Sequence, residues 1–390
     1  MSTRRATIAA PARAPRDARR RRFASRVAAT PADDAAAIAR LTTALRRIDD
    51  ARERSRDGGG AWRVCEATGA RVRAPRAKTP WGCVHFVGGA VLGGFPDVAY
   101  DEWLSTCADD VGLVVVATPY ELDLDHEKCA MAVKKMYDEA RSLACAREGM
   151  DASRAPTFRV GHSLGCKLLC LVASAEDASE REGNGGMGDG TIDMDVDAAS
   201  GTAIAVSGTS GGGVGNVAGH FLVAFNNADA TDSVKLVEKF ARELLKKRAG
   251  AASGASEEFF KTIPNLAAFA ERAAKAAGLE FKPTPAQTLE RCRTRFASKR
   301  VRLIKFKDDD LDQNDELLEV LRERMKVYPG RVDARELDFG NHLTPVYFST
   351  DGLKLTPALE KLVGQFALGD AEGVRKLSAE FDAFIRDASS

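Results

Sequence analysis

After Pro80 the chain alternates between short, wholly apolar runs and longer segments in which apolar residues recur every three or four positions. The short runs predict strands buried on both faces, and the recurring pattern predicts helices that bury one face. The predicted strands are 83–87, 113–117, 158–160, 221–225, 301–306 and 332–339, and the predicted helices between them are 100–110, 126–146 and 315–325. This alternation predicts an α/β fold, with a mostly parallel sheet flanked by helices.

Two segments interrupt the alternation. Residues 176–216 are rich in Gly, Asp, Ser and Ala, which predicts a disordered surface insertion. Residues 232–298 have a helical pattern without a clear strand, which predicts a helical cap over the functional site. A hairpin is predicted at residues 62–73, before the first parallel strand. We therefore expect one domain over residues 61–390 that contains both the insertion and the cap.

Residues 1–57 differ in composition from the rest of the chain. Residues 1–30 hold nine arginines, nine alanines and a single acid, Asp17, and residues 31–57 follow as a charged, helix-like segment. An arginine-rich, acid-poor leader is typical of an organelle transit peptide. From these residues alone a plastid and a mitochondrial destination both remain open, and the alternative is a disordered basic arm that contacts RNA.

Composition limits the classes of function. The 390 residues are 44% hydrophobic, which is enough for a large core, and the net charge of +1 gives no bulk attraction to nucleic acid. No run of 18 apolar residues occurs, so we predict no membrane span. Eight cysteines without a C-x-x-C pair predict buried free thiols in a reducing compartment.

The motif with the most chemical content is Gly161-His162-Ser163-Leu164-Gly165. It is a G-x-S-x-G run that follows an apolar segment and precedes a helix-like one, which is the context of the nucleophile elbow of an α/β-hydrolase. The crowded turn requires both glycines and exposes the serine hydroxyl at its apex. Ser163 is therefore the predicted nucleophile, and His162 beside it is interpreted as structural.

A serine nucleophile needs a base, and the base needs an acid that holds its tautomer. In this fold they follow in the order Ser, Asp or Glu, His, each after a later strand. His342 follows the last predicted strand and is the predicted base. An acidic turn follows strand 301–306, and Asp309 is favoured by its distance from the strand. Asp308, Asp310 and Asp312 remain open as the acid.

The oxyanion of an acyl-transfer reaction needs two backbone N–H donors. The predicted donors are Leu164, which follows the nucleophile, and Gly89, in the glycine loop after the first core strand. This loop has neither G-x-G-x-x-G nor P-loop spacing, so no phosphate or dinucleotide cofactor is expected.

Five further polar residues at strand ends are candidates for a pocket lining: Tyr120, Asn226, Asn227, Asp310 and Asp312. Asp125 is interpreted mainly as a helix cap, with pocket duty as its alternative. A calcium site in the acidic turn is disfavoured because no EF-hand spacing follows. A metal site at Asp123, Asp125 and His126 is also disfavoured. We predict no metal.

Several motifs together resemble the DUF1350 family. They are Phe86-Val87-Gly88-Gly89-Ala90, Ala117-Thr118-Pro119-Tyr120, GHSLGCK at 161–167, Ala224-Phe225-Asn226-Asn227, LIKFKDDDLDQ at 303–313 and GNHLTP at 340–345. The resemblance covers about residues 60–350, in the right order. It implies an α/β-hydrolase of cyanobacteria, algae and plants, with a plastid home for a member that carries a leader. It implies no substrate, because the family has no settled activity, and the insertion at 176–216 departs from the family's compact form.

These observations predict a serine hydrolase that acts on an ester or thioester. A lipid or other acyl ester is the substrate suggested by the predicted cap, by analogy with this fold. The alternative is a plastid binding or assembly protein that keeps the scaffold without turnover. The sequence does not indicate an oligomeric state.

Overall fold

The computed structural model describes residues 62–90, 92–184, 217–229, 280–349 and 367–389. The leader at 1–57 therefore lies outside the described residues. So do residues 185–216 of the predicted insertion and residues 232–279 of the predicted cap.

An eight-stranded sheet forms the centre of the described fold, with strand order β1-β2-β4-β3-β5-β6-β7-β8. The strands are β1 (Trp62–Val64), β2 (Arg71–Arg73), β3 (Gly82–Val87), β4 (Leu113–Ala117), β5 (Thr157–His162), β6 (Val217–Val223), β7 (Arg300–Phe306) and β8 (Arg331–Leu337). Strands β3 to β8 pair in parallel, whereas β1 and β2 form the predicted antiparallel hairpin at one edge. This topology confirms the predicted α/β-hydrolase fold.

Helices cover both faces of the sheet. They are α1 (Pro96–Ala99), α2 (Asp101–Asp109), α3 (His126–Arg147), α4 (Leu164–Asn184), α5 (Pro285–Arg295), α6 (Asn314–Arg324) and α7 (Ala371–Ser389). A 3₁₀ turn (Leu92–Gly94) follows β3, and a short antiparallel pair, β9 (Phe348–Ser349) and β10 (Ala367–Leu368), precedes α7.

The wholly apolar strands explain the two-sided core. Successive side chains of a strand point to opposite faces, so a strand buried on both sides needs apolar residues throughout. On one face Phe158 and Phe221 pack with Trp103 of α2 and Phe384 of α7. On the other face, residues of α3, α4, α5 and α6 form a second apolar cluster with Leu222 and Leu303.

Two predicted boundaries need correction. Helix α4 continues to Asn184, so residues 176–184 belong to that helix rather than to a disordered insertion. The first residue of this stretch, Glu176, is buried in a bidentate ion pair with Arg159 of β5, at 2.6 and 2.7 Å. Residues 285–298 belong to the core rather than to a cap, because α5 packs on α4 and buries Cys292 and Phe296.

Candidate active site

Ser163 lies at the apex of the turn between β5 and α4. Its φ of 56° is in the left-handed region, which a residue with a side chain adopts only when its surroundings impose it. Its backbone N–H donates to the carbonyl of Val223 at 3.0 Å, which ties the turn to the neighbouring strand β6. The two motif glycines permit this approach: a Cβ on Gly161 would lie 2.9 Å from the backbone of Cys166, and one on Gly165 would lie 2.0 Å from the carbonyl oxygen of Val87.

His342 and Asp309 reach Ser163 from two later strands. The His342 Nε2 atom lies 2.8 Å from the Ser163 Oγ atom. On the other side of the ring, His342 Nδ1 lies 2.9 Å from Asp309 Oδ2 and 3.1 Å from Oδ1. Asp309 follows β7 and His342 follows β8, and the parallel register of these strands brings both loops to the same edge of the sheet. The structure thus brings together the three residues that the sequence predicts.

The loop of His342 is shaped by a tight turn. Gly340 has a φ of 77°, a conformation that favours glycine, and the Asn341 N–H donates to Thr344 Oγ1 at 2.8 Å. This turn directs the His342 imidazole back over the carboxyl end of the sheet, where both of its nitrogens meet the partners given above.

The electrostatics suit an orienting carboxylate. Burial alone would raise the pKa of Asp309, but the hydrogen bond from His342 and the one from the Leu311 N–H hold it below its ordinary value. Asp309 is therefore ionised at neutral pH. It accepts the Nδ1 proton of His342, which leaves the Nε2 lone pair to face the serine hydroxyl.

The other aspartates of the turn do not occupy this position. Asp308 and Asp310 are exposed. Asp312 is partly buried: its Oδ1 atom accepts from the Asn314 N–H at 2.8 Å, and its buried Oδ2 atom has no hydrogen-bond partner within the described residues. Burial raises the pKa of Asp312 to about 8. At neutral pH this carboxyl is mostly protonated.

One predicted oxyanion donor needs correction. The backbone N–H of Gly89 donates to the Tyr100 hydroxyl at 2.9 Å, in a buried hydrogen bond, so it does not face the site as a free donor. In the described part of the chain, no hydrogen bond engages the N–H of Leu164 or that of Ala90, the residue after Gly89. Leu164 is the first residue of α4, where backbone N–H groups lack partners within the helix.

The residues predicted to line a pocket have mainly backbone partners. The Tyr120 hydroxyl donates to the Gly88 carbonyl at 3.0 Å, which holds the glycine loop. The Asn226 side chain donates to the Leu311 carbonyl at 2.9 Å, and the Asn227 side chain donates to the Pro285 carbonyl at 2.9 Å. Tyr120, Asn226 and Asn227 therefore hold the loops around Ser163 in place.

Tyr100 is a contributor that sequence reasoning missed. It lies between α1 and α2, is fully buried, and its hydroxyl contacts His162 Nδ1 at 2.9 Å as well as Gly89. Nothing in the hydrophobic pattern separates Tyr100 from an ordinary core aromatic, because its partners are distant in the sequence.

In the ranges that the structure describes, no group of three or more His, Cys, Asp and Glu side chains is placed to hold a metal ion. Asp125 caps α3 by accepting from the Lys128 N–H at 2.8 Å, in line with its interpretation as a cap. Among the described helices, none is both long and apolar enough to cross a membrane.

Solved structures with a similar fold have low sequence identity to this chain. Esterase B from Lactobacillus rhamnosis is 14% identical, with 92% of this chain and 97% of that chain covered and a TM-score of 0.41. The mouse alpha/beta hydrolase domain-containing protein 10 is 13% identical, with 84% and 98% covered and a TM-score of 0.38. A carboxylesterase structure from Nitrososphaera gargenis is 11% identical, with 84% and 98% covered and a TM-score of 0.38. No curated protein sequence matches the chain.

A family model matches most of the chain. It covers residues 61–188 and 213–358, and it is described as a protein of unknown function, DUF1350. The match includes the nucleophile elbow, the acidic turn and the histidine loop, and it leaves out residues 189–212 of the predicted insertion. The chain belongs to the DUF1350 family.

Proposed function

We propose that this protein is a serine hydrolase that cleaves an ester or thioester. The observation that carries the proposal is the continuous row of hydrogen bonds from Asp309 through His342 to Ser163, with each contact between 2.8 and 3.1 Å. This geometry is the one that converts a serine hydroxyl into a nucleophile. A scaffold kept only for binding has no need of this row.

The proposed reaction proceeds in two halves. Ser163 Oγ attacks the acyl carbonyl while His342 Nε2 takes the hydroxyl proton, and Asp309 stabilises the resulting imidazolium. When the tetrahedral intermediate collapses, the proton passes from His342 to the departing alcohol or thiol. Water then attacks the acyl-enzyme with His342 again as base, and releases the acid.

The oxyanion of the intermediate is assigned to two backbone N–H groups. Leu164 supplies the first, as the sequence predicts. We assign the second to Ala90 in place of Gly89, since the Gly89 N–H is bonded to Tyr100. Gly89 packs directly against the nucleophile: a Cβ on it would lie 3.2 Å from the Ser163 Cβ. Its successor Ala90 is therefore close to the developing charge.

For the substrate class we propose an acyl ester or thioester, with lipid esters included. Leu164, Ala90 and Tyr120 pack in one apolar cluster beside Ser163, and such surroundings suit a hydrocarbon chain. We also propose that residues 1–57 direct the protein to the plastid, because of their arginine-rich, acid-poor composition and the family's distribution.

Labelling with a fluorophosphonate probe tests the proposed function. The probe reacts with activated serines, so we expect the full-length protein to be labelled and Ser163→Ala to be unlabelled. Ser174→Ala is the matched control: this buried serine lies on the same helix and donates to the Cys170 carbonyl at 2.8 Å. A folded wild-type protein that resists the probe and hydrolyses neither p-nitrophenyl acetate nor an acyl thioester would overturn the proposal in favour of a binding protein.

A further inference from the structure

A second buried hydrogen-bond row runs behind the nucleophile. It begins at the Gly89 N–H, which contacts the Tyr100 hydroxyl at 2.9 Å. The Tyr100 hydroxyl contacts His162 Nδ1 at 2.9 Å, and His162 Nε2 contacts the backbone carbonyl of His342 at 2.8 Å. The row thus links the glycine loop after β3, the last residue of β5 and the loop of the proposed base.

The chemistry of the groups determines every proton in this row. A carbonyl oxygen can only accept, so His162 Nε2 must carry a proton and donate it to His342. A neutral imidazole has a single N–H, so His162 Nδ1 accepts and the Tyr100 hydroxyl donates to it. The Tyr100 oxygen is then free to accept from Gly89. Each donor in the row therefore has one acceptor.

The surroundings of His162 keep it neutral. Its side chain is buried, and burial, followed by the nearby His342, lowers the pKa of His162 to about 3. With both ring nitrogens engaged and one of them protonated, His162 has no lone pair to offer Ser163. His162 therefore cannot serve as a second base, and the role left to it is to hold neighbouring groups in position.

We propose that His162, held in its Nε2–H tautomer by Tyr100, is a positioning residue. Through this row of hydrogen bonds it fixes the His342 loop and the glycine loop after β3 relative to each other. This inference rests on the proposed function. His342 and the glycine loop follow separate strands of the sheet, β8 and β3. His342 must reach the Ser163 hydroxyl while an N–H of the glycine loop reaches the oxygen of the same acyl group. A misplacement of about 1 Å in such a group costs on the order of 10²-fold in rate.

The row also accounts for two otherwise unexplained features. It explains why a histidine directly precedes the nucleophile, although the G-x-S-x-G turn does not require a particular side chain at that position. It also accounts for Tyr100, which is fully buried and whose ring centroid lies 4.8 Å from that of Phe86. A buried hydroxyl in such surroundings is costly unless it is bonded, and here both of its bonds belong to the site.

Kinetics of matched variants test the positioning role. His162→Phe and Tyr100→Phe each break the row and keep an aromatic ring at the position. We expect kcat per fluorophosphonate-titrated site to fall about 10- to 100-fold, with KM changed less than about threefold, because orientation rather than binding is lost. His162→Gln can still donate to the His342 carbonyl and is expected to recover most of the loss. Because Tyr100 and His162 act through one row, the double variant should be little worse than either single one.

The control for these variants is Tyr137→Phe. Tyr137 is also a buried tyrosine, and its hydroxyl contacts Thr157 Oγ1 at 2.8 Å, on the opposite face of the sheet and outside the row. The Tyr137→Phe variant loses a hydrogen bond comparable to that lost in Tyr100→Phe. If the loss of activity came from reduced stability in general, Tyr137→Phe would lose activity as well. The proposal is overturned if Tyr137→Phe loses as much kcat as Tyr100→Phe, or if Tyr100→Phe and His162→Phe keep wild-type kcat per titrated site.

Nitrogen NMR of the ¹⁵N-histidine-labelled protein at pH 7 tests the row without turnover. The His162 signal is identified by its loss in His162→Gln, and we expect a neutral ring protonated at Nε2. An Nδ1–H tautomer or an imidazolium would overturn the row even in a protein that the probe labels. Conversely, the expected tautomer in a wild-type protein that the probe does not label would leave the row standing and reject the hydrolase.

Discussion

Two carboxyl groups on one turn, Asp309 and Asp312, are held in opposite protonation states. Asp309 receives hydrogen bonds from His342 and Leu311, which stabilise its anion despite burial. Asp312 has one oxygen bonded to a backbone N–H and another with no hydrogen-bond partner among the described residues, so burial favours its neutral form. Groups whose surroundings separate their pKa values in this way can take different roles at one site.

Replacing Asp309 tests which acid orients the base. In Asp309→Asn the amide cannot hold His342 with its Nε2 lone pair toward the serine, so we expect kcat to fall about 10³- to 10⁴-fold. Asp308→Asn, at the exposed neighbouring position, is the control and should leave ester hydrolysis unchanged. Equal losses in the two variants, or an Asp309→Asn enzyme with most of its activity, would contradict this assignment.

Asp312 predicts a pH-dependent stability. Between its ordinary pKa of 3.8 and about 8, the folded protein keeps a proton that the unfolded chain releases. The free energy of unfolding therefore falls as pH rises through this window. Asp312→Asn cannot ionise, so we expect it to be more stable than the wild type at pH 8, by up to about 5 kcal/mol for a pKa difference of about four units, and nearly equal at pH 4. Urea unfolding at both values checks this, and a difference independent of pH would contradict it.

At the residue scale, the sequence predicted the residues whose side-chain chemistry the proposed reaction requires. It predicted less well the residues whose role depends on a contact with a distant part of the chain. The three proposed catalytic residues, Ser163, His342 and Asp309, could be named because an α/β-hydrolase fold places such residues in a fixed order along the chain. Gly89 was wrong as an oxyanion donor, because its N–H meets a tyrosine hydroxyl from a different element. Such a long-range contact leaves no mark on local pattern or spacing.

At the scale of elements, the site depends on how closely α4 approaches β3. The first turn of α4 lies against the carboxyl end of β3, where Gly165 meets the carbonyls of Val87 and Gly88. This approach brings the glycine loop after β3 next to the first turn of α4, beside Ser163. The G-x-S-x-G spacing thus reflects the close packing of α4 on β3 as well as the turn at Ser163.

Gly165→Ala tests this packing. The added Cβ would lie 2.0 Å from the Val87 carbonyl oxygen, so the helix must move away from the strand. We expect the free energy of unfolding to fall by about 3 kcal/mol or more, and probe labelling of Ser163 to be lost. Gly94→Ala is the control, because its Cβ would meet only an ordinary contact with the Tyr120 carbonyl at 3.5 Å. Labelling and stability near wild type in Gly165→Ala would show that the approach is not needed.

Strands and helices whose local composition agrees with their packing were predicted within a few residues. Examples are α3 at 126–147 and β4 at 113–117. The two wrong boundaries lie where the local composition suggests one structure and the tertiary contacts show another. The stretch after Ser174 has the composition of a loop, but it continues α4 to Asn184, and Glu176 within it pairs with Arg159 of β5. Residues 285–298 share a helical pattern with the preceding segment, and only packing on α4 separates them from it.

At the scale of the whole molecule, the C-terminal helix α7 completes one face of the sheet although the family match ends at residue 358. Five apolar side chains of this helix are buried there: Val374, Leu377, Phe381, Phe384 and Ile385. The Phe384 ring lies 5.5 Å from the Phe221 ring, and the Arg300 guanidinium lies 4.3 Å from its centroid. The core therefore extends beyond the segment that defines the family.

Truncation of α7 is expected to unfold the protein. At about 1.5–3 kcal/mol for each buried side chain, the helix contributes roughly 8–15 kcal/mol of burial, which equals the whole net stability of a typical domain at about 5–15 kcal/mol. A chain ending at residue 369 should show no cooperative thermal transition, whereas Phe384→Ala should lose about 3–5 kcal/mol and still fold. Removal of residues 1–57, which precede the family match and the first described strand, is the control and should leave the transition midpoint and probe labelling unchanged. A truncated chain that keeps a cooperative transition would mean that the sheet is stable without its C-terminal cover, and that the burial on this face is dispensable.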